Sequence, residues 1–313
     1  MKKKAVIKRN LISWLIMTPT IILFAFYVWV PLAESIFLSL FDADGMRINK
    51  FVGFANYLTV VKSADFFPAF INTFVYIFWS LVIGFFVPIL LAIMISETIH
   101  LKGFFRIGVY FPNIVPGIAT AYVWLNLYKS GPTGVLNILI MNITEPLSKL
   151  FAAIGIESVA DALAAFQGTA WLQNKTWIIP LIIIAMTWKG AGSTALIYMA
   201  GISSINAELY EAATIDGAGI FQRVIHITLP QIFSLGKTML ILQIISVFQI
   251  LYEPLIITNG GPNNGSISIL MLVYRLAFER YNFPQASALS VMVAIVLIAL
   301  SALYTKLTAG KEE

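Results

Sequence analysis

Apolar residues run along this chain in long unbroken stretches, without the short alternating periods of half-buried soluble elements. Six stretches stand out: Leu11 to Leu40, Phe70 to Ile95, Gly108 to Tyr128, Trp177 to Ile202, Met239 to Ile257 and Ala286 to Tyr304. A hydrocarbon core about 30 Å thick takes about 20 helical residues to cross, so each stretch is long enough to span. They carry only three charges, Glu34, Lys189 and Glu253. Because lipid leaves an open sheet edge unpaired, the pattern predicts an all-α integral membrane protein with six transmembrane helices. Pro19, Pro31, Pro112 and Pro116 fall inside the spans and predict kinked or broken helices. The start MKKKAVIKRN imitates a secretory signal, but the apolar run behind it is too long and lacks a cleavage site, so it is expected to be a retained first span.

Composition excludes a soluble domain, since only 11% of the residues are charged and 59% are hydrophobic, against about 25% charged in an ordinary globular chain. With no cysteine, there is neither a disulfide framework nor a thiolate metal site. The net charge is +5, yet the 20 Lys and Arg lie between apolar runs and form no basic face with aromatic platforms, so no nucleic-acid partner is expected. They report topology instead. Eleven fall on the side of the N-terminus in mostly short segments and eight on the other side in longer loops, which predicts that both termini are cytoplasmic.

The chain then divides into a cytoplasmic tail (1–10), a first span with its outer loop (11–69), a core of five spans (70–307) and a second tail (308–313). The outer segments are 41–69, 129–176 and 258–285. Residues 143–172 have helical apolar spacing but are too polar to span, and are expected to form short amphipathic helices on the outer face. His100 and His226 have no companions at metal-ligand spacing, so no metal site is expected. Gly236-Lys237-Thr238 imitates the end of a phosphate-binding loop, but Gln231 stands where a glycine is required.

The informative loop is 203–237, between the fourth and fifth spans. Ser204 suits a helix start before Asn206 to Ile215, with Glu208 and Glu211 early in the helix where its dipole favours them. Asp216-Gly217 suits its end, and a second amphipathic stretch from Ile220 to Ile227 leads to Leu229-Pro230. Two short helices held at the membrane surface make a rigid knob for a soluble partner.

This stretch, EAATIDGAGIFQRVIHITLP from Glu211 to Pro230, resembles the EAA-x3-G-x9-I-x-LP signature of permease subunits of binding-protein-dependent ABC importers. Glu211, Ala212, Ala213, Gly217, Ile227, Leu229 and Pro230 fill every position of it. FVGFANY (51–57), FFRIGVYFPNIVPGIATAYVW (104–124), TNGGPNNGS (258–266) and YRLAFERYNFPQASALS (274–290) are also similar to that family, in its sugar-permease branch with a MetI-like transmembrane domain.

The resemblance implies an importer of carbohydrate in a bacterial-type cytoplasmic membrane, with a second permease subunit, a cytoplasmic ABC ATPase dimer and an extracytoplasmic solute-binding protein as partners. ATP and Mg would sit on the ATPase, and this chain would carry no cofactor and catalyse nothing. Glu211, with Asp216 close by, would meet a basic residue of the ATPase, Ala212 and Ala213 would admit close helix approach, and Gly217 would set the bend. For the translocation path the residues themselves offer Lys189, Phe248, Gln249, Tyr252 and Glu253. An intramembrane charge is a functional candidate by default, and aromatic faces beside polar groups suit a sugar ring. Gly190, Gly192 and Ser193 beside Lys189 permit close helix packing or a kink, and the alternative to a path role is a lysine that snorkels or pairs with a carboxylate in the bundle. The rival function is an ion-coupled secondary transporter, for which the spans offer only Glu34 and Glu253 as carboxylates.

Overall fold

The structure is a computed structural model that describes residues 2–44, 47–98, 100–166 and 168–309. They fall into two compact units, Met1–Ser63 with Val273–Ala299, and Ala64–Leu272 with Leu300–Glu313.

The first unit begins with α1 (Lys2–Phe24), a π-helical turn (Ala25–Trp29) and α2 (Val30–Ser39), which together form the first span. Proline lacks the N–H that an α-helical turn needs. Just ahead of Pro31 the ladder widens, with the Val30 N–H reaching back to the Ala25 carbonyl, whereas Pro19 is accommodated inside α1. From Trp14 to Phe37 the side chains are left largely uncovered by the unit, the kind of surface that faces lipid.

A small hairpin follows, which the reading of spans did not anticipate. Strands β1 (Phe41–Asp44) and β2 (Arg47–Phe51) pair antiparallel, Asp42 opposite Lys50 and Phe41 opposite Phe51. Oppositely charged and aromatic cross-strand pairs favour that register. After it, α3 (Ala55–Lys62) is tied back by Asn56, whose Nδ2 donates to the carbonyls of Ser39 and Phe41 at 2.9 and 2.8 Å, and by Tyr57, whose hydroxyl bonds Ser39 Oγ at 2.7 Å.

In the second unit, α4 (Phe66–Trp79), a π-helical turn (Ser80–Gly84) and α5 (Phe86–Glu97) make the second span, again with the widened turn just before a proline, Pro88. The expected third span is broken. Helix α6 (Lys102–Ile114) stops and α7 (Gly117–Leu127) starts anew, because Pro116 forces Val115 out of the helical region to ψ 131°. Pro112, by contrast, is tolerated inside α6.

Helix α8 (Val135–Ala153) packs with α9 (Glu157–Ala164) in the segment expected to be amphipathic. By length and composition α8 also meets the criterion for a span, though Glu145 and Lys149 pair on its exposed face at 2.8 Å. Among the described residues five helices meet that criterion, or six if one bent pair is a single span.

Helix α10 (Ile178–Ser203) is the axis of the unit and packs on α4, α5, α6 and α7. Its apolar residues are spread around the helix without a single polar face, and Ile178, Ile182, Ala185, Ala195 and Tyr198 are buried. Without a hydrophobic force between helices in lipid, close backbone approach has to supply the packing. Gly192 does so against α6, where an added Cβ would lie 2.0 Å from the Val109 carbonyl oxygen.

The loop beyond α10 holds α11 (Ala207–Ile215), α12 (Ile220–Arg223), a π-helical turn (Val224–Thr228) and α13 (Leu229–Gln231). The chain bends by 65° into α14 (Phe233–Phe248), which is the fifth span. That span starts and ends earlier than expected, so Gln249, Tyr252 and Glu253 lie beyond its last turn. Next comes α15 (Ile269–Tyr274), and α16 (Phe283–Ala309) is the last span, started by Asn282, whose Oδ1 accepts from the Gln285 N–H at 3.1 Å.

Candidate functional site

The loop 203–237 is built as a braced pair of short helices. Ser204 turns back on α10, donating to the Gly201 carbonyl at 2.7 Å, and the cap of α11 is Asn206, whose Oδ1 accepts from the Glu208 N–H at 3.1 Å. At the other end Gly217 takes φ +79°, the left-handed conformation that closes a helix, and the Ala218 N–H reaches the Ala213 carbonyl at 2.8 Å. Helix α12 starts with the Gly219 N–H donating to Gln222 Oε1 at 2.8 Å.

Two side-chain links lock the second helix to the first. Arg223 Nη1 donates to Thr214 Oγ1 at 3.0 Å, and the Tyr210 hydroxyl bonds Thr228 Oγ1 at 2.9 Å. A third link anchors the knob to the second span, where Arg223 Nη2 meets Glu97 Oε2 at 3.4 Å.

On the outer side of this brace the structure brings together Glu211, Ala212, Asp216 and Gly217, all exposed, with Ala213 half-buried. Among the described residues Glu211 has no ion pair. Ile215 is 86% exposed and Phe221 84%, an apolar pair that periodicity alone did not single out. Ile227 is half-buried, and Leu229 and Pro230 are exposed at the bend into α14. Large apolar side chains so exposed beside a free carboxylate are the anatomy of a docking surface.

Of the residues considered for a path, Lys189 and Glu253 lie close enough to interact electrostatically, and the others do not join them in one group. Lys189 Nζ donates to the Asn113 carbonyl at 3.4 Å, at the last turn of α6, and its stem lies beside Gly117 across the break. Phe248 is 2% exposed and packs its ring edge-on against Phe74 at 6.0 Å. Tyr252, 57% exposed, and Gln249 lie outside the helix, and Glu253 precedes the turn Pro254–Thr258.

A different polar cluster sits between α4–α5, α10 and α14. Gln243 Nε2 donates to the Ser80 carbonyl at 2.8 Å and to Ser80 Oγ at 2.6 Å. Beside it a cavity of about 310 Å³ is lined by Ser80, Gly84, Thr187, Gln243 and Ser246 among apolar residues. A search for charged groups in spans passes over such residues, and a count of uncharged polar groups in spans would have found them.

Residues 69–309 match the family described as binding-protein-dependent transport system inner membrane component. The chain belongs to that family. It is accordingly a multi-pass membrane protein and a permease subunit of an ATP-driven importer, and ATP hydrolysis belongs to a separate subunit. Among relatives, it is 30% identical over 310 residues to the probable ABC transporter permease protein YurN of Bacillus subtilis, covering 98% of this chain and 99% of that one. It is 29% identical to the diacetylchitobiose uptake system permease protein NgcF of Streptomyces coelicolor, over 93% of this chain and 81% of that one. A solved structure of a bacterial ABC transporter involved in the import of the acidic polysaccharide alginate superposes with a TM-score of 0.78 at 25% identity, covering 100% of both chains.

Proposed function

We propose that this permease conducts an oligosaccharide or a related sugar, delivered by an extracytoplasmic binding protein, and that the knob of α11 and α12 transmits the ATPase cycle to the spans. The observation that carries the coupling role is the braced knob itself: a complete signature from Glu211 to Pro230, rigidly tied to Glu97, with Glu211, Ile215 and Phe221 turned outward. Relatives named for diacetylchitobiose and alginate transport support a carbohydrate as solute.

In this reading Glu211 and Asp216 meet basic groups of the ATPase dimer, and Ile215 and Phe221 add apolar contact. Ala212 and Ala213 keep that contact close, Gly217 sets the turn, and Ile227, Leu229 and Pro230 carry motion into α14. Both termini face the cytoplasm with the knob, ATP and Mg belong to the ATPase, and a second permease completes the pathway. Residues 70–307 form the conducting core. ATP favours one packing of the spans, and the loaded binding protein drives the cycle by binding one packing better than the other. The path runs by the Gln243–Ser80 cavity, with Lys189, Phe248, Gln249, Tyr252 and Glu253 as further candidates.

The test is Glu211→Lys, co-expressed with the other subunits and compared with the unaltered chain at equal membrane abundance. The expected result is loss of labelled oligosaccharide uptake and of co-purifying ATPase, with insertion unchanged. Normal uptake by Glu211→Lys removes the coupling assignment, whereas an unaltered, ATPase-associated complex that takes up no saccharide removes the carbohydrate assignment.

A further inference from the structure

The end of the second unit nearest the 203–237 loop holds a mostly apolar cavity of about 520 Å³, bordered by Leu229 of the signature and sharing no lining residue with the Gln243–Ser80 cavity of the proposed path. Phe86, Leu240 and Leu307 contribute apolar walls, and Tyr198, Lys237 and Tyr304 contribute the polar groups. The volume lies within the range, about 300–1,000 Å³, of pockets that enclose an organic ligand.

Three features restrict the occupant. Lys237 is half-buried, its Nζ is 5.2 Å from the centre of the Phe233 ring, and among the described residues no carboxylate lies within ion-pair distance of it. Its backbone is held in place, since the Tyr304 hydroxyl donates to its carbonyl oxygen and so ties α16 to α14. The Tyr198 hydroxyl is buried and has no hydrogen-bond partner, a state that buried polar groups rarely keep. Finally, α14 thins at Gly236, where a Cβ would meet nothing within 4 Å.

A matching ligand therefore has a long apolar part, a negative charge for Lys237 and an oxygen acceptor for Tyr198. The surrounding membrane supplies that combination directly, and lysines near the membrane surface attract its anionic lipids. We propose that this cavity holds an acyl chain of an anionic glycerophospholipid, with the phosphate on Lys237 and an ester carbonyl accepting from Tyr198. Such a lipid wedges α5, α10, α14 and α16 at the base of the knob. The proposal is independent of the solute carried.

The test uses the full chain with whatever subunits accompany it, equilibrated with phosphatidylglycerol and phosphatidylcholine and examined by native mass spectrometry. The unaltered protein is expected to retain phosphatidylglycerol in preference. Lys237→Gln should lower that retention about five-fold, the loss of one lysine's attraction for an anionic lipid, and leave phosphatidylcholine unchanged. Gly236→Leu, which fills the cavity, should expel both. A photo-crosslinker placed at Leu307 in the otherwise unaltered chain should capture lipid, and this answers the question even if Gly236→Leu fails to fold. Equal lipid retention by Lys237→Gln and the unaltered chain, undiminished retention by Gly236→Leu, or capture of a protein neighbour at Leu307 would each overturn the proposal.

Discussion

Arg223 and Glu97, 126 residues apart, form a partly buried ion pair that joins the knob to the end of the second span. Exposed pairs contribute at most about 1 kcal/mol, and breaking a buried pair costs about 3–5 kcal/mol. With both side chains only partly screened, Arg223→Ala should cost about 1–2 kcal/mol, and it also releases Thr214. Because the knob then moves without pulling on α5, uptake should fall by more than the loss of folded protein explains. Uptake normalised to membrane abundance, beside a thermal unfolding curve, separates the two. A fall in uptake that merely tracks abundance would show that the pair only stabilises.

Gly217 and Gly108 are a matched contrast, for a Cβ at either meets nothing within 4 Å. Only Gly217 has positive φ, so its substitution carries a purely conformational cost. Gly217→Ala should destabilise the knob by about 1 kcal/mol, the left-handed penalty. Inside α6, Gly108→Ala should instead stabilise by up to about 1 kcal/mol. Amide hydrogen exchange over 207–223 and over 102–114 reads each effect separately, and shifts of the same sign would contradict the assignment.

The same logic separates two neighbours in α10. Gly190→Ala meets nothing within 4 Å and should leave abundance and melting near the unaltered values. Gly192→Ala places a methyl 2.0 Å from the Val109 carbonyl oxygen, so α6 and α10 have to part. The expected result is a large drop in folded protein, at the upper end of the about 1–3 kcal/mol of overpacking, because the obstacle is backbone. Fluorescence-detected size exclusion of the two variants side by side decides it.

Asn137 is fully buried and organises the segment between α7 and α10. Its Nδ2 donates to the carbonyls of Gly131 and Thr169 at 2.9 and 3.0 Å, and its Oδ1 accepts from the Thr169 N–H at 3.0 Å and from Trp171 Nε1 at 2.7 Å. Asn137→Ala strands several partly buried polar groups, each costing about 1 kcal/mol, the lower end for an unsatisfied group. Exchange should rise sharply across 129–173 and little across α10. Protection retained over 168–173 in this variant would rule the hub out.

How much of this was legible in the sequence depended on how local each cause is. The spans beginning at Phe66, Ile178 and Phe283 were readable because lipid demands an unbroken apolar run, and the break of the third because Pro116 acts on its own neighbour. Gly217 was readable too, since a helix stop is decided within a few residues. Ser204 and Asn206 are both good caps, and the choice of Asn206 depended on how α10 ended, which a local pattern does not contain. Arg223 with Glu97, and Asn137 with Trp171, are distant pairs that only the folded chain brings together. The Gln243–Ser80 cluster was hidden for another reason, since its members are uncharged and the spans were read for charge.

Lys189 stood between two readings, a group lining the path or a lysine that snorkels or pairs with a carboxylate in the bundle, and its geometry makes the path reading measurable. Its ammonium donates to Asn113, one of the carbonyls that the break at Pro116 leaves without a helical N–H, while its stem packs beside Gly117. Lys189→Met keeps the stem and removes the donor. At 3.4 Å the bond is long, so its loss should cost about 1.5 kcal/mol, the lower end for a bond to a charged group. Assembly with the other subunits should therefore persist. Uptake per assembled complex should nonetheless fall several-fold, because a break whose carbonyl loses its cation is free to adopt other geometries within the proposed conducting core. Saturation curves for uptake by assembled complexes test this. Unchanged uptake kinetics with a lowered melting temperature would leave Lys189 a cap for the broken span and remove it from the path.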